Sequence, residues 1–458
     1  QTQPIRNRSL TEIEDMINNS TDISVNDVIS ELPQRYGPLI NNAINQASNV
    51  RAVSNQNNNE YVLSFDTFIP PISIINTLNQ NTRNTETNEE LDFSYNIQEL
   101  NSENIEELDT LRQENDYRNN FMSDYKNLED KILVAGASGM AGSAIVRALF
   151  KNGYGNPIYN GRIYTPTRKE LNLLNYEKVE EWLKIHKPDV VIIAAAKVGG
   201  IFANDNFSAD FLLENLKIEI NLIESSFKNN VKRFLFLGSS CIYPKACNQP
   251  IKEEYLLNGG LESTNEAYAI AKITGIKLCE SLRKQYDFDA ISLMPTNLYG
   301  PGDNYHPTNS HVLPSLIRKF SEANKDNTAV TCWGTGSPLR EFMHVDDLGD
   351  ACVFALEKWD IESINAPKDS RGEPLSFLNV GTGKDISIKE LALMIATEIK
   401  FKGEIFWDIT KPDGTKRKLL DVNKISELGW ESKIDLKEGL KKTLDSYKKE
   451  IITKNLRI

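Results

Sequence analysis

Short apolar runs rich in β-branched residues alternate along this chain with longer stretches of helical spacing, and that alternation restricts the fold more than any other feature. Residues 131–135 read Lys131-Ile132-Leu133-Val134-Ala135, and 189–195 read Asp189-Val190-Val191-Ile192-Ile193-Ala194-Ala195. The runs at 233–238 and 290–294 are of the same kind. A strand that is apolar on both faces belongs inside a parallel sheet covered on both sides. Residues 208–229 and 265–286 carry helical patterns between these runs. The expected fold is α/β: a doubly wound, Rossmann-type parallel sheet that binds ligands beyond the carboxyl ends of its strands.

The first run opens into Gly136-Ala137-Ser138-Gly139-Met140-Ala141-Gly142 and then into a helical pattern at 143–150. Strand, glycine turn and helix together make a dinucleotide fingerprint, because the turn lets a pyrophosphate approach the backbone at a helix N-terminus. The spacing is GxxGxxG rather than GxGxxG. The second strand, expected at 161–166, is followed by Arg168, where an NAD-preferring site more often carries an acid for the ribose hydroxyl. A guanidinium there suits a 2′-phosphate, so the expected cofactor is NADP(H).

Tyr268 and Lys272 stand four apart in the 265–286 pattern and so share one helix face. Alone, that spacing describes many amphipathic helices; behind a dinucleotide turn it reads as a proton-transfer device. At roughly 4 Å and an effective dielectric near 20, the ammonium is worth about 4 kcal/mol to a phenolate, enough to bring a phenol from about 10 toward neutrality. Ser239, at the end of the 233–238 strand, is placed to share the hydrogen bond to a substrate carbonyl. Cys241 and His311 bracket neutral pH and suit proton exchange, yet a buried thiol and a helix-start histidine have equally good packing roles.

From about 130 to 450 the chain resembles the GDP-L-fucose synthases, extended short-chain dehydrogenase/reductases. The runs that carry the resemblance are 194–201, 238–245 (Gly-Ser-Ser-Cys-Ile-Tyr-Pro-Lys), 294–301, 309–312, 333–336, 340–347 and 411–414. The resemblance implies two steps on GDP-4-keto-6-deoxy-D-mannose: epimerisation at C3 and C5, then reduction at C4 with NADPH. It implies Ser239, Tyr268 and Lys272 as the reduction triad and Cys241 with His311 as the acid/base pair. Pro295, Thr296, Asn297 and Leu298 would lie beside the nicotinamide, and Lys319, Trp333, Arg340 and Asp413 around the GDP-sugar. Lys319 departs from the pattern, where arginine is frequent, and so does Ser138, where some relatives carry an arginine near the cofactor phosphate. A further implication is a homodimer through the helices at 208–229 and 265–286. Another nucleotide-sugar epimerase/reductase and a non-catalytic cofactor-binding scaffold are the rival readings. A 4,6-dehydratase is disfavoured, because Ser239 is followed by Ser240 and Cys241 rather than by an acid pair.

Residues 1–125 are different material. They hold no lysine, seven arginines and 20 acids, a formal charge of 7 − 20 = −13, whereas 126–458 hold 45 basic and 44 acidic residues, or +1. With 23 asparagines and one glycine, this extension reads as largely flexible or as a small accessory module open to a partner. Linkers are expected at about 49–60 and 78–90, short helices at 10–17, 25–32 and 97–111, and a strand or docking peptide at 61–71. Its charge disfavours nucleic acid. The cofactor domain is expected at 126–302 and 346–384, and a substrate lobe at 303–345 and 385–458. No apolar run approaches the length of a membrane span. No signal peptide opens the chain, and Gln1 in place of Met suits a processed or trimmed product. Five cysteines without metal spacing suit a reducing cytoplasm and no metal.

Overall fold

The computed structural model describes residues 126–411 and 413–458, together with the backbone of Val50–Ser54 and Tyr61–Phe65. The chain divides into two compact units, Gln1–Tyr117 and Arg118–Ile458. In the first, the two strands pair antiparallel, Val50 opposite Phe65 and Ser54 opposite Tyr61. The strand at Val50–Ser54 falls inside the linker expected at 49–60, whose other residues, 49 and 55–60, lie outside the described residues. The helices expected at 10–17, 25–32 and 97–111 and the linker at 78–90 lie outside the described residues.

The second unit is built on six parallel strands: β1 (Lys131–Ala135), β2 (Arg162–Tyr164), β3 (Val190–Ile193), β4 (Arg233–Leu237), β5 (Ala290–Pro295) and a late strand at Phe377–Val380. Their order is β2-β1-β3-β4-β5 with the late strand at the far edge, so the order reverses between β1 and β3. That reversal is where an open α/β sheet leaves a crevice for ligands. Successive side chains alternate between two cores, as the strand period of two requires. Ile132, Val134, Ile192, Leu235 and Ile291 enter one. Leu133, Val191, Phe234, Phe236 and Met294 enter the other. Each fully buried aliphatic side chain contributes on the order of 1.5–3 kcal/mol, which makes the doubly apolar strands stable only inside a two-faced cover.

That cover comes from five helices. On the first core lie α1 (Met140–Lys151) and a helix at Val345–Lys358, which pack on one another. On the second lie α2 (Tyr176–His186), α3 (Ser208–Lys228) and α4 (Glu266–Tyr286), with α3 and α4 in long contact. A third apolar cluster, including Tyr299, Phe320, Phe342, Ile395 and Leu440, forms a lobe at the carboxyl edge. Its framework is α5 (Val312–Asp326), the parallel pair β7 (Val330–Trp333) with Ile405–Asp408, and strand β8 (Leu339–His344). Beside β8 run β6 (Asn297–Tyr299) in parallel, Asp385–Ser387 in antiparallel and β9 (Arg417–Lys418) in parallel. Among the described residues no helix is long and apolar enough to cross a membrane.

Asp303, where the chain enters this lobe, is 3 % exposed, and burial pushes its carboxyl up to about 7. One oxygen accepts from the Asn304 amide at 2.7 Å; the other has no partner among the described residues. The folded state therefore holds this proton up to about 7, whereas the unfolded chain loses it near 3.8. The group costs stability as pH rises through that window and adds no further cost above it. Asp303→Asn keeps the amide contact and removes the titration. Its unfolding free energy relative to the parent is expected to improve by about 4 kcal/mol between the two ends of the window, read by chemical denaturation at several pH values. A pH-independent difference would contradict the assignment.

Candidate active site

The loop after β1 is shaped by close contacts that only glycine permits. Gly136 has a φ of 86°, and a Cβ there would meet the Ala195 backbone nitrogen at 2.6 Å, just past β3. The Gly139 amide donates to the Gly136 carbonyl at 3.0 Å, and a Cβ on Gly142 would lie 2.7 Å from the Gly136 carbonyl carbon. The first turn of α1 is thereby pressed onto the loop. Gly139 caps α1 with no side-chain bond to its free amides, so the turn from Ala137 and Ser138 to Met140 and Ala141 ends in backbone donors at the sheet's switch point. These residues fit a dinucleotide pyrophosphate. Arg168 is exposed just beyond β2 and makes no ion pair among the described residues.

At the neighbouring edge, Pro295 ends β5 and the Thr296 amide donates to Val380 at 3.0 Å. The Thr296 hydroxyl and the Asn297 amide both donate to the Glu341 carbonyl, at 3.3 and 2.7 Å, and Leu298 continues into β6. The Glu341 side chain is fully buried. It accepts from the amides of Thr382 (2.6 Å), Gly383 (2.8 Å) and Leu420 (3.0 Å), so one acid ties together β8, the loop after Phe377–Val380 and the end of β9.

Ser239 follows β4 and caps a short turn, its hydroxyl accepting from the Cys241 amide at 3.2 Å. Tyr268 and Lys272 face this turn from α4. Lys272 is 2 % exposed; its ammonium donates to the Leu237 carbonyl at 2.9 Å and sits 5.9 Å from the Tyr268 ring centroid. The phenol nevertheless does not move toward neutrality. Burial pushes the Tyr268 hydroxyl well above its ordinary value, the charges of Cys241 and Glu219 add to that, and the neighbouring Ser239 hydroxyl offsets part of it. The expectation of a phenol near neutrality is corrected for a physical reason: burial strips a phenolate of its hydration, and Glu219, 3.1 Å from the lysine, offsets part of the charge meant to stabilise it.

The Cys241 thiol receives two donors, Asn265 Nδ2 at 3.3 Å and Lys418 Nζ at 3.6 Å. His311 is the N-cap of α5, where it keeps contact with solvent and its side chain makes no capping bond. Desolvation lowers its pKa, and the Lys418 ammonium lowers it further. Lys418 therefore acts on both members of the pair. Sequence reasoning missed it, although it closes a basic run, Lys416-Arg417-Lys418, that begins one residue after the recognised 411–414 motif.

Parallel pairing sets Arg340 of β8 opposite Lys418 of β9. Arg340 Nη1 donates to the Leu339 carbonyl at 2.8 Å. A Cβ on Gly414 would stand 3.4 Å from Nη2, which places Arg340 beside the Asp413 loop. Asp413 accepts from the Thr335 amide (2.7 Å) and hydroxyl (2.8 Å), fixing that loop to the turn after β7. Trp333 closes β7 with 61 % of its surface exposed, and Lys319 and Lys411 lie 5.4 and 5.6 Å from its ring centroid. Lys319 also donates to the Thr331 carbonyl at 3.0 Å. An exposed indole flanked by cations, with a guanidinium nearby, suits a base and its diphosphate. Among the described residues no cluster has a metal-ligand arrangement.

A glycine cradle at the switch point and a Ser, Tyr and Lys centre on the same edge define a dinucleotide-dependent α/β enzyme. The chain belongs to the NAD dependent epimerase/dehydratase family, whose model matches residues 132–366. Among its relatives, a putative GDP-L-fucose synthase 2 of Arabidopsis thaliana is 51 % identical over 325 residues, covering 71 % of this chain and 93 % of that protein. The GDP-L-fucose synthase of Escherichia coli is 48 % identical over 316 residues, covering 69 % and 95 %. Among solved structures, a GDP-mannoheptose C4 reductase from Campylobacter jejuni with NADP bound is 38 % identical, with a TM-score of 0.60 over 70 % of this chain and 98 % of that one.

Lys418→Met removes the cation that depresses His311, so the His311 titration midpoint is expected to rise by about 0.5 in pH, read from its imidazole resonances. An unmoved or lowered midpoint would separate the lysine from the histidine.

Proposed function

We propose that this enzyme converts GDP-4-keto-6-deoxy-D-mannose to GDP-L-fucose by 3,5-epimerisation and then NADPH-dependent reduction of the C4 ketone. The observation that carries the reading is the grouping of Cys241 and His311 about one lysine, two residues from the serine of the reduction triad. Both epimerised carbons are alpha to the C4 carbonyl, so their protons become removable only while the developing enolate oxygen is held by donors. Ser239 and Tyr268 supply those donors. One of Cys241 and His311 removes the proton and the other returns one, and desolvation keeps the imidazole neutral and able to accept near pH 7.

The glycine cradle, with Arg168 for a 2′-phosphate, would hold NADPH, which would supply the hydride for the second step. Tyr268 gives its phenolic proton to the oxygen that becomes the C4 hydroxyl. A phenol held protonated by burial is suited to donating rather than accepting at the outset. Trp333, Lys319, Arg340 and Asp413 hold the GDP portion. The likeness to a C4 reductase supports a second reading, reduction without epimerisation. A second copy of the chain covers α3 and α4, where Leu213, Ile220 and Ile270 are exposed. Five free cysteines among the described residues suit a cytoplasmic setting.

The test supplies the keto-sugar with NADPH in deuterated buffer and follows cofactor absorbance and product configuration by NMR. Expected are cofactor oxidation, deuterium at C3 and C5, and L-fucose configuration; reduction without deuterium would leave the reductase alone. Tyr268→Phe is expected to lower kcat by about 10²–10⁴, and Cys241→Ser to slow exchange at C3 and C5 by at least roughly 10² while NADPH affinity holds. Equal loss of cofactor affinity would make the thiol structural.

A further inference from the structure

Glu219 takes no part in the chemistry above, yet it is a deeply buried acid beside it. It projects from α3 and is 1 % exposed, with one oxygen 3.1 Å from the Lys272 ammonium. Neither of its oxygens has another partner among the described residues. Room for it comes from Gly275 on α4, where a Cβ would run into the Phe236 ring and stand 3.1 Å from Glu219 Oε2. The ammonium is thus fixed between three groups: the Glu219 carboxylate, the Leu237 carbonyl at 2.9 Å and the Phe236 ring at 4.7 Å.

A buried ion pair between two helices contributes little net stability compared with an apolar pair of the same volume. Pair and glycine together nevertheless fill the space between α3, α4 and β4 directly behind Tyr268. We propose that Glu219 is a positioning residue for the reduction: it pins the Lys272 ammonium against β4 and, by balancing its charge, keeps Tyr268 a protonated donor. The proposal rests on the reading of Tyr268 as the proton donor to C4.

The groups that face this centre are few. From α4 come Tyr268, Lys272 and Cys279, from α3 Glu219, and from the turn after β4 Ser239 and Cys241. Burial raises the proton affinity of Glu219, and Lys272 draws it back. The carboxylate in turn raises that of Tyr268 and of Cys279. With the carboxylate removed, the ammonium is left uncompensated and its field favours the phenolate.

The experiment uses the full chain with tyrosine isotope-labelled at Cζ, the Tyr268 resonance being assigned through Tyr268→Phe. In Glu219→Gln the Tyr268 midpoint is expected to fall by about one pH unit or more, a tenfold loss of proton affinity, and the basic limb of kcat for keto-sugar reduction to move the same way. Glu219→Asp retains the charge but draws it back by one methylene; its midpoint is expected to lie between those of the parent and the glutamine variant, which keeps the test available should Glu219→Gln not fold. A midpoint unchanged in the folded variants, with any loss of kcat matched by a fall in melting temperature, overturns the proposal. Because the resonance is read without turnover, failure of the keto-sugar assay in the parent protein would tell against the proposed function and leave this measurement standing.

Discussion

The sheet is apolar on both faces, and most of the architecture follows from that one property. Ile132, Val134 and their neighbours need α1 and the Val345–Lys358 helix on one side, while Leu133, Phe234 and Phe236 need α3 and α4 on the other. With both faces sealed, polar chemistry has only the strand ends to occupy. The fingerprint loop, the turn carrying Ser239 and the Thr296 loop all emerge at the carboxyl edge, so cofactor and proton-transfer groups meet there without any long-range device.

That edge is held by buried polar groups used sparingly. Glu341 takes amides from two loops on its side chain, and its carbonyl receives Thr296 and Asn297. One residue therefore couples the nicotinamide loop to the strand carrying Arg340. Glu219 does comparable work between the helices, on the opposite core.

The strands, the glycine turn and the helices at Ser208–Lys228 and Glu266–Tyr286 were legible because each is specified locally, by a two-residue or 3.6-residue period or by a glycine no other residue can replace. The electrostatics were not. Reading Tyr268 and Lys272 as an isolated pair gives a phenolate, because the burial that opposes one comes from the tertiary packing and the carboxylate that offsets the lysine lies on another helix, some fifty residues earlier. Lys418 escaped for the same reason: its meaning comes from strand pairing with Arg340, not from its own neighbours. The strand at Val50–Ser54 shows the converse, a segment whose asparagine-rich surroundings concealed a β-branched core.

The parallel register of β8 and β9 carries one more consequence. Arg340 and Lys418 are cross-strand neighbours, so a slip of β9 by a single residue along β8 would turn Lys418 to the opposite surface and part it from Arg340. Grip on the nucleotide and tuning of the proton-shuttling pair thus share one mechanical tolerance. A designer who wished to retarget this scaffold to another sugar while leaving its anchor intact would find the two traits geared together.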